Sequence, residues 1–426
     1  MTIAIFVFSL LGAMALGMPL AFSLLVSGVA LMLHLDVFDT QIVSQNLING
    51  ADNFPLMAVP FFMLAGELMN AGGMSRRIVN SAMVWVGHFR GGLGYVAVFA
   101  AIIMASLSGS AVADTAALAA VLMPMMRKAG YRMDRSAGLI AAGGIIAPVI
   151  PPSIGFILFG VIGGVSISKL FMAGIVPGIM MGLALIVTWW IVARNDKVEV
   201  APKIGMAERL QVTANAFWSY LLAVTIIGGM KMGIFTPTEA AVVAVVYSLF
   251  VGLFIYREIK FKDLYGIALS AAKTSSIVMF LVAAALVSAW LITVANIPAQ
   301  IVTLMQPFMD NKMLLMAMLM LLVMIVGTAL DFAPTVLILT PVLMPLVREA
   351  GIDPVYFGVL FIINNAIGLL TPPVGTVLNV VCGVGKIPMH EVIKGVWPFL
   401  LSQLAVMSLL IIFPQIVLTP LRWLTT

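Results

Sequence analysis

The sequence predicts an all-α polytopic membrane protein, with about ten spans and two re-entrant hairpins arranged as two copies of one unit inserted in opposite orientations. Three observations lead there. Of 426 residues, 62% are hydrophobic and 9% charged, a balance that a water-soluble surface of this size cannot carry. Apolar stretches long enough to cross a hydrocarbon layer of ~30 Å recur from end to end, with no polar block large enough for a separate domain. Finally, the block Val121-Leu-Met-Pro-Met-Met-Arg-Lys-Ala-Gly130 returns as Val342-Leu-Met-Pro-Leu-Val-Arg-Glu-Ala-Gly351, displaced by 221 residues.

Spans are predicted near 2–17, 19–34, 54–71, 137–163 and 170–194, then 216–234, 237–256, 274–295, 355–384 and 391–418. The first imitates a secretory signal, but no Lys or Arg precedes it, so it is read as a retained span. Two pairs, 93–107 with 110–126 and 313–329 with 332–348, have arms too short to cross comfortably and tips of small and polar residues. They are read as hairpins that enter and leave by one face. Stretches 75–92 and 298–312 directly precede the hairpins and suit horizontal arms in the interface. The expected organisation is therefore a first copy at 1–195, a cytoplasmic linker at 196–215 and a second copy at 216–426. With the basic loop from Arg194 to Arg209 cytoplasmic, both termini fall outside, and 17 of the 22 Lys and Arg lie inside, Lys197 among them.

The same displacement relates Pro151-Pro152 to Pro372-Pro373, Gly174 to Gly395 and Pro177 to Pro398. Each copy holds five spans and one hairpin, so an odd number of crossings turns the second copy upside down, as in transporters with two mirror-related gates. A duplication kept for packing alone is the alternative.

Other classes are excluded or disfavoured. Cys382 is the only cysteine, which rules out an intrachain disulfide or a Cys cluster. His34, His88 and His390 are far apart in predicted loops and read as interfacial residues rather than transition-metal ligands. The net charge of +5 sits in short loops between spans, which argues against nucleic acid as a partner. No Gly-x-x-x-x-Gly-Lys-Ser/Thr loop occurs, so energy must come from a gradient or a separate ATPase.

The first hairpin turns at Ser106-Leu-Ser108-Gly109-Ser110-Ala-Val-Ala-Asp114-Thr115. Irregular backbone at membrane depth persists only where protein or a water-filled cavity surrounds it, and converging hydroxyl and carbonyl oxygens suit Na⁺, a hard cation. Close packing of small residues is the competing explanation. The second hairpin turns at Gly327-Thr328-Ala-Leu-Asp331-Phe332, placing a second acid at the equivalent tip; Asp331 also suits a cap on the second arm. Two spans are broken by proline pairs, at Ile150-Pro151-Pro152-Ser153 and at Thr371-Pro372-Pro373-Val-Gly375-Thr376. Such a break leaves carbonyls of the first piece and N–H groups of the second facing a gap, which suits a cation on one side and an anion on the other. Ile150, Thr371 and Pro372 fall on the carbonyl side and Ser153, Gly375 and Thr376 on the N–H side. Asn364 and Asn365, upstream of the second break, suit either contact with a substrate or fixing of the loop. For Glu67 and Glu239, helix-end or interdomain roles are favoured over transport roles. A membrane enzyme with Asp114 and Asp331 as an aspartyl pair is a second reading, and it requires the two carboxylates to share one site.

Taken together, Ser108-Gly-Ser-Ala-Val-Ala-Asp114, Ile150-Pro-Pro-Ser153, Phe235-Thr-Pro-Thr-Glu239 and Leu370-Thr-Pro-Pro-Val-Gly375 resemble the large membrane subunit of TRAP transporters over essentially the whole chain. Leu47-Ile-Asn-Gly-Ala-Asp52 and Val336-Leu-Ile-Leu-Thr-Pro-Val-Leu-Met-Pro345 are similar to the branch of that family that handles 2,3-diketogulonate. The resemblance implies bacterial inner-membrane uptake of a small organic anion, a sugar acid or C4-dicarboxylate, driven by a Na⁺ gradient and without an organic cofactor. It implies two partners, a periplasmic substrate-binding protein and a smaller membrane subunit of four spans. It further implies an elevator in which hairpins and broken helices slide through the bilayer against a static frame. One Na⁺ would lie between the first tip and the first break, the other between the second tip and the second break.

Overall fold

The computed structural model describes residues 2–194, 196, 198 and 202–425; Lys197, assigned above to the cytoplasmic face, lies outside them. Among the described residues the chain is helical, with no strand. Helices α1 (Thr2–Ala15) and α2 (Leu20–His34) pack together, separated by Gly17 at φ 81°. Asp39 then caps α3 (Thr40–Ala51), its carboxylate accepting from the Gln41 amide at 2.7 Å. A short turn leads to α4 (Ala58–Ala71), followed by α5 (Met74–Val86). The first hairpin is α6 (Gly92–Ser108) and α7 (Ala111–Lys128); the first broken helix is α8 (Met133–Gly144) and α9 (Ile154–Gly163); α10 (Ile167–Ala193) closes the first copy.

The second copy begins with α11 (Met206–Asn215) and α12 (Phe217–Lys231), then α13 (Pro237–Phe250), which opens on a capping box between Thr236 and Glu239. The favoured helix-end role of Glu239 is therefore met. Next come α14 (Leu264–Val294) and α15 (Ile297–Met305), the hairpin α16 (Lys312–Ala329) and α17 (Phe332–Glu349), the broken helix α18 (Pro354–Leu370) and α19 (Thr376–Gly385), and α20 (Met389–Ile412) with α21 (Gln415–Thr425). The sequence hairpin, broken helix, long helix thus occurs twice, with the Pro-Pro pairs at 151–152 and 372–373 in the two interruptions and Pro177 and Pro398 inside α10 and α20.

Helix length alone gives fewer spans than the ten expected. By length and apolarity seven helices among the described residues can cross a membrane, or eight if α11 and α12, bent by 56°, act as one. The expected ten came from apolar runs, and runs are not helices: α1 and α2 have 14 and 15 residues, and the interruptions cut 137–163 and 355–384 into shorter pieces. Conversely α16 and α17, expected to be too short, have 18 residues each and pass the same test, since 18 residues rise ~27 Å. The linker expected at 196–215 contains α11, and α3 was not foreseen.

The helices pack in two sets, which also touch each other through α5 on α6 and α14 on α17. In the frame group α13 runs along α4, α12 packs on α13, and α14 crosses α2, α3 and α4. In the hairpin group α8 runs along α20, α7 packs on α8 and α19, and α16 packs on α18, so the two copies interlock. Glycine permits the closest crossing: a Cβ at Gly138 would lie 2.6 Å from the Gly395 carbonyl oxygen. The interlock is reciprocal at the repeated block. Arg127 donates through Nη2 to the Gly385 carbonyl at 2.7 Å, at the end of α19, and Arg348 donates likewise to the Gly163 carbonyl at 2.7 Å, at the end of α9. Each repeated arginine satisfies the C-terminal carbonyls of the other copy's helix, where the helix dipole also favours a cation.

Arg127→Ala and Arg348→Ala are each expected to lower the stability of the detergent-solubilised protein by about 1–2 kcal/mol, read as a fall in the thermal unfolding midpoint. An effect confined to one of the two contradicts the reciprocal arrangement.

Candidate functional site

The hairpin group contains two seats, each formed where a hairpin tip meets a helix interruption. At the first, Ser108 ends α6, Gly109 turns the chain at φ 63°, and Ser110 caps α7 by accepting the Ala113 amide at 3.4 Å. The turn lies directly on the first interruption: a Cβ at Gly109 would stand 2.5 Å from the Pro152 carbonyl oxygen. Asp114, one turn into α7, is only 2% exposed and receives the Ser108 hydroxyl on Oδ1 at 2.5 Å. Its Oδ2 has no partner, and neither has the adjacent, fully buried Thr115 Oγ1. Gly144 at the end of α8 makes room for that hydroxyl, since a Cβ there would overlap it.

The other residues expected at the first seat are placed differently. Ser106 turns back to the Ile103 carbonyl at 2.6 Å, within its own helix. Ser153 is fully buried; its Oγ donates to the Pro148 carbonyl at 2.5 Å and accepts the Phe156 amide at 3.2 Å, closing the interruption and capping α9. The Ile150 side chain packs on Gly178 of α10.

At the second seat the tip glycine Gly327 lies on Gly368 and Asn365 of α18; a Cβ at Gly327 would stand 3.1 Å from Asn365 Oδ1. Asn365 donates through Nδ2 to the Phe332 carbonyl at 2.8 Å while its Oδ1 is buried without a partner. Asn364 donates to the Met320 carbonyl, tying α18 to α16. Both amide nitrogens are committed to carbonyls of the second hairpin, and Asn365 retains an acceptor oxygen without a partner. Thr328 and Thr371 bond back to the Ile325 and Ile367 carbonyls at 2.7 and 2.8 Å. Pro372 is half-buried.

Asp331 occupies the N-cap position of α17 but makes no side-chain capping bond; instead its Oδ1 accepts the Thr376 hydroxyl from α19 at 3.4 Å. Gly375, at φ 44°, opens α19, also without a side-chain cap. The N-termini of α17 and α19 thus meet with amides that no side chain covers, an arrangement that favours negative charge. The two seats touch through Phe332, whose ring stands 2.5 Å from where a Cβ would sit on Gly155.

One reading is corrected. The two tips are equivalent in the repeat, with Asp331 set against Ser110 and Asp114 against Thr335 by the displacement of 221. The two acids do not form the aspartyl pair of the enzyme reading, since Asp114 is buried against Ser108 whereas Asp331 is exposed and bonded to Thr376. A shared-proton dyad requires the carboxylates to contact each other. Thr115 joins the first seat although the tip motif alone gives it no role. It stood within the tip motif, but its significance depends on Gly144 of another helix.

The first seat thus offers buried oxygens without donors, the chemistry of a hard-cation site, and the second adds one buried amide oxygen beside uncovered helix N-termini. Residues 7–416 match the family described as the tripartite ATP-independent periplasmic transporter, DctM component. The chain is 56% identical over 423 residues to the 2,3-diketo-L-gulonate TRAP transporter large permease protein YiaN of Escherichia coli, covering 99% of this chain and 100% of that one. It is 37% identical over 412 residues to the sialic acid TRAP transporter large permease protein SiaM of Vibrio cholerae, covering 97% and 96%. Its fold is similar to the crystal structure of the Alcanivorax borkumensis YdaH transporter, with TM-score 0.63, 14% identity and 87% of each chain covered.

Gly109→Ala is expected to unseat the first tip, because the new methyl group meets the Pro152 carbonyl and the φ is unfavourable for alanine. A destabilisation of about 1–3 kcal/mol should appear in thermal unfolding, whereas Gly130→Ala, with open space around it, costs only the strain of its φ.

Proposed function

The chain belongs to the DctM component family of tripartite ATP-independent periplasmic transporters, and on that footing we propose that it is the sodium-coupled permease subunit for a hydroxylated organic acid anion. It is a transport permease by family rather than an enzyme. The observation that carries the sodium reading is the set of buried oxygens left without donors, Asp114 Oδ2 and Thr115 Oγ1 at the first seat and Asn365 Oδ1 at the second. Each such oxygen costs roughly 1–3 kcal/mol if nothing binds it. A sodium ion satisfies several at once and neutralises Asp114, which is otherwise an expensive acid at membrane depth.

In this reading one sodium is held by Asp114, Thr115 and Ser108 with the carbonyl of Ile150, and a second by Asp331, Thr328, Gly327 and Asn365 with the carbonyls of Thr371 and Pro372. Ion binding fixes the tips on the interruptions, which orders the N-termini of α17 and α19 for the carboxylate of the substrate. Substrate and sodium then favour the same conformation, and that shared preference is the coupling. The hairpin group slides as an elevator against the frame group, with α5 and α15 as the arms between them. A four-span subunit braces the frame in the inner membrane, and a periplasmic binding protein delivers the anion. Both termini lie on the periplasmic side. The name of the 56% identical relative supports a sugar acid such as 2,3-diketogulonate as the cargo, with C4-dicarboxylates as the alternative.

The test is uptake by proteoliposomes containing the complete complex. Asp114→Asn and Thr115→Val should insert and fold normally yet raise the sodium concentration for half-maximal uptake by about tenfold, the effect of losing one buried ligand oxygen. Unchanged sodium activation in both variants contradicts the assignment.

A further inference from the structure

A cavity of about 90 Å³ lies between the two packing groups, where α4 and α14 of the frame face the first hairpin tip. Its frame wall includes Glu67, Asn70 and Thr274, and its opposite wall includes Ser108 and Ser110. Glu67 is half-buried on α4, and Ser270 of α14 donates to its Oε1 at 3.2 Å. No Lys or Arg lines the cavity, so no cation answers the Glu67 charge there. The wall at Gly66, beside it, stands back from the tip, since a Cβ at that position would lie 3.9 Å from Ser108, an ordinary contact.

We propose that Glu67 is a specificity-determining residue, which accepts hydrogen bonds from the hydroxyl-bearing end of the substrate and keeps a second carboxylate out of that position. The inference rests on the transport reading above. A carboxylate on the frame wall of an anion's path is repulsive toward the anion's charge and attractive toward its O–H groups, with charge-assisted bonds about twice as strong as neutral ones. A monoanion carrying several hydroxyls meets both demands: its hydroxyls face Glu67, Asn70 and Thr274, and its carboxylate points away from that wall. A C4-dicarboxylate has no such orientation, because one end or the other brings negative charge to Glu67. The size agrees with this division. The cavity holds about three waters, so it admits a hydroxylated chain end rather than a whole sugar acid, and the rest of the molecule lies along the tip.

The experiment measures binding of gulonate and of succinate to the detergent-solubilised membrane complex in sodium chloride, with the binding protein omitted. The unaltered complex is expected to prefer gulonate by at least about tenfold. Glu67→Gln keeps the shape and the acceptor but removes the charge, and should gain succinate affinity by about tenfold, bringing the ratio near one. Asn70→Asp adds charge to the same wall and should shift the ratio further toward gulonate. Sodium-dependent binding of both acids with a ratio that neither variant moves overturns the role of Glu67 and leaves the transport reading standing. Failure of the unaltered complex to bind either acid in a sodium-dependent way overturns both.

Discussion

A helix interrupted inside hydrocarbon exposes backbone groups that lipid cannot satisfy, and that constraint shapes this molecule. Each copy breaks one helix at a proline pair and covers the break with the tip of the hairpin that precedes it. Gly109 rests on Pro152 and Gly327 on Gly368, contacts close enough that an added methyl group would collide or crowd at either point. The tip and the break therefore depend on each other. Without the tip the break is bare, and without the break the tip has no polar surface to seat on. The reciprocal arginines extend the logic, since Arg127 and Arg348 cover the far ends of the helices that the breaks create.

Although the two copies share one plan, they differ in what they leave unsatisfied. In the first, Ser110 and Ser153 cap their helices, the interruption is buried, and the oxygens of Asp114 and Thr115 lack donors. In the second, neither Asp331 nor Gly375 supplies a side-chain cap, and Asp331 is exposed. The closed oxygen-lined first seat suits a cation alone, whereas the second sets uncovered amides, which suit an anion, beside the acceptor oxygen of Asn365. The proposed coupling uses this division, with Phe332 pressed on Gly155 as the physical link between the two halves of the site.

Much of the architecture could be read from the residues because proline and glycine act locally. Pro151-Pro152 and Pro372-Pro373 remove donors wherever they occur, and the displaced block around Arg127 and Arg348 announces the duplication without any knowledge of packing. What escaped depends on neighbours distant in sequence. Thr115 matters because Gly144 leaves it room, and Ser153 is committed to the Pro148 carbonyl, neither of which a motif reveals. Helix α3 escaped because its mixed polar and apolar residues do not form an apolar run, although Asp39 is a recognisable cap. Helix length alone gives fewer spans than the apolar runs for a related reason: hydropathy measures apolar length, whereas the helices are cut by turns such as Gly17 and by the interruptions themselves.

Two mirror-related gates require the two hairpins to reach their seats from opposite faces of the membrane, which makes their outer turns the decisive positions. Lys128 and Glu349 are repeat equivalents, both exposed, at the far ends of α7 and α17. In a Cys382→Ser background, Lys128→Cys and Glu349→Cys can each be treated with a membrane-impermeant maleimide in cells with an intact inner membrane and a permeabilised outer one. Labelling of Glu349→Cys in intact cells, with Lys128→Cys reactive only after the inner membrane is opened, is the predicted result. Labelling of both positions from the same face contradicts the inverted arrangement and, with it, the two-gate mechanism.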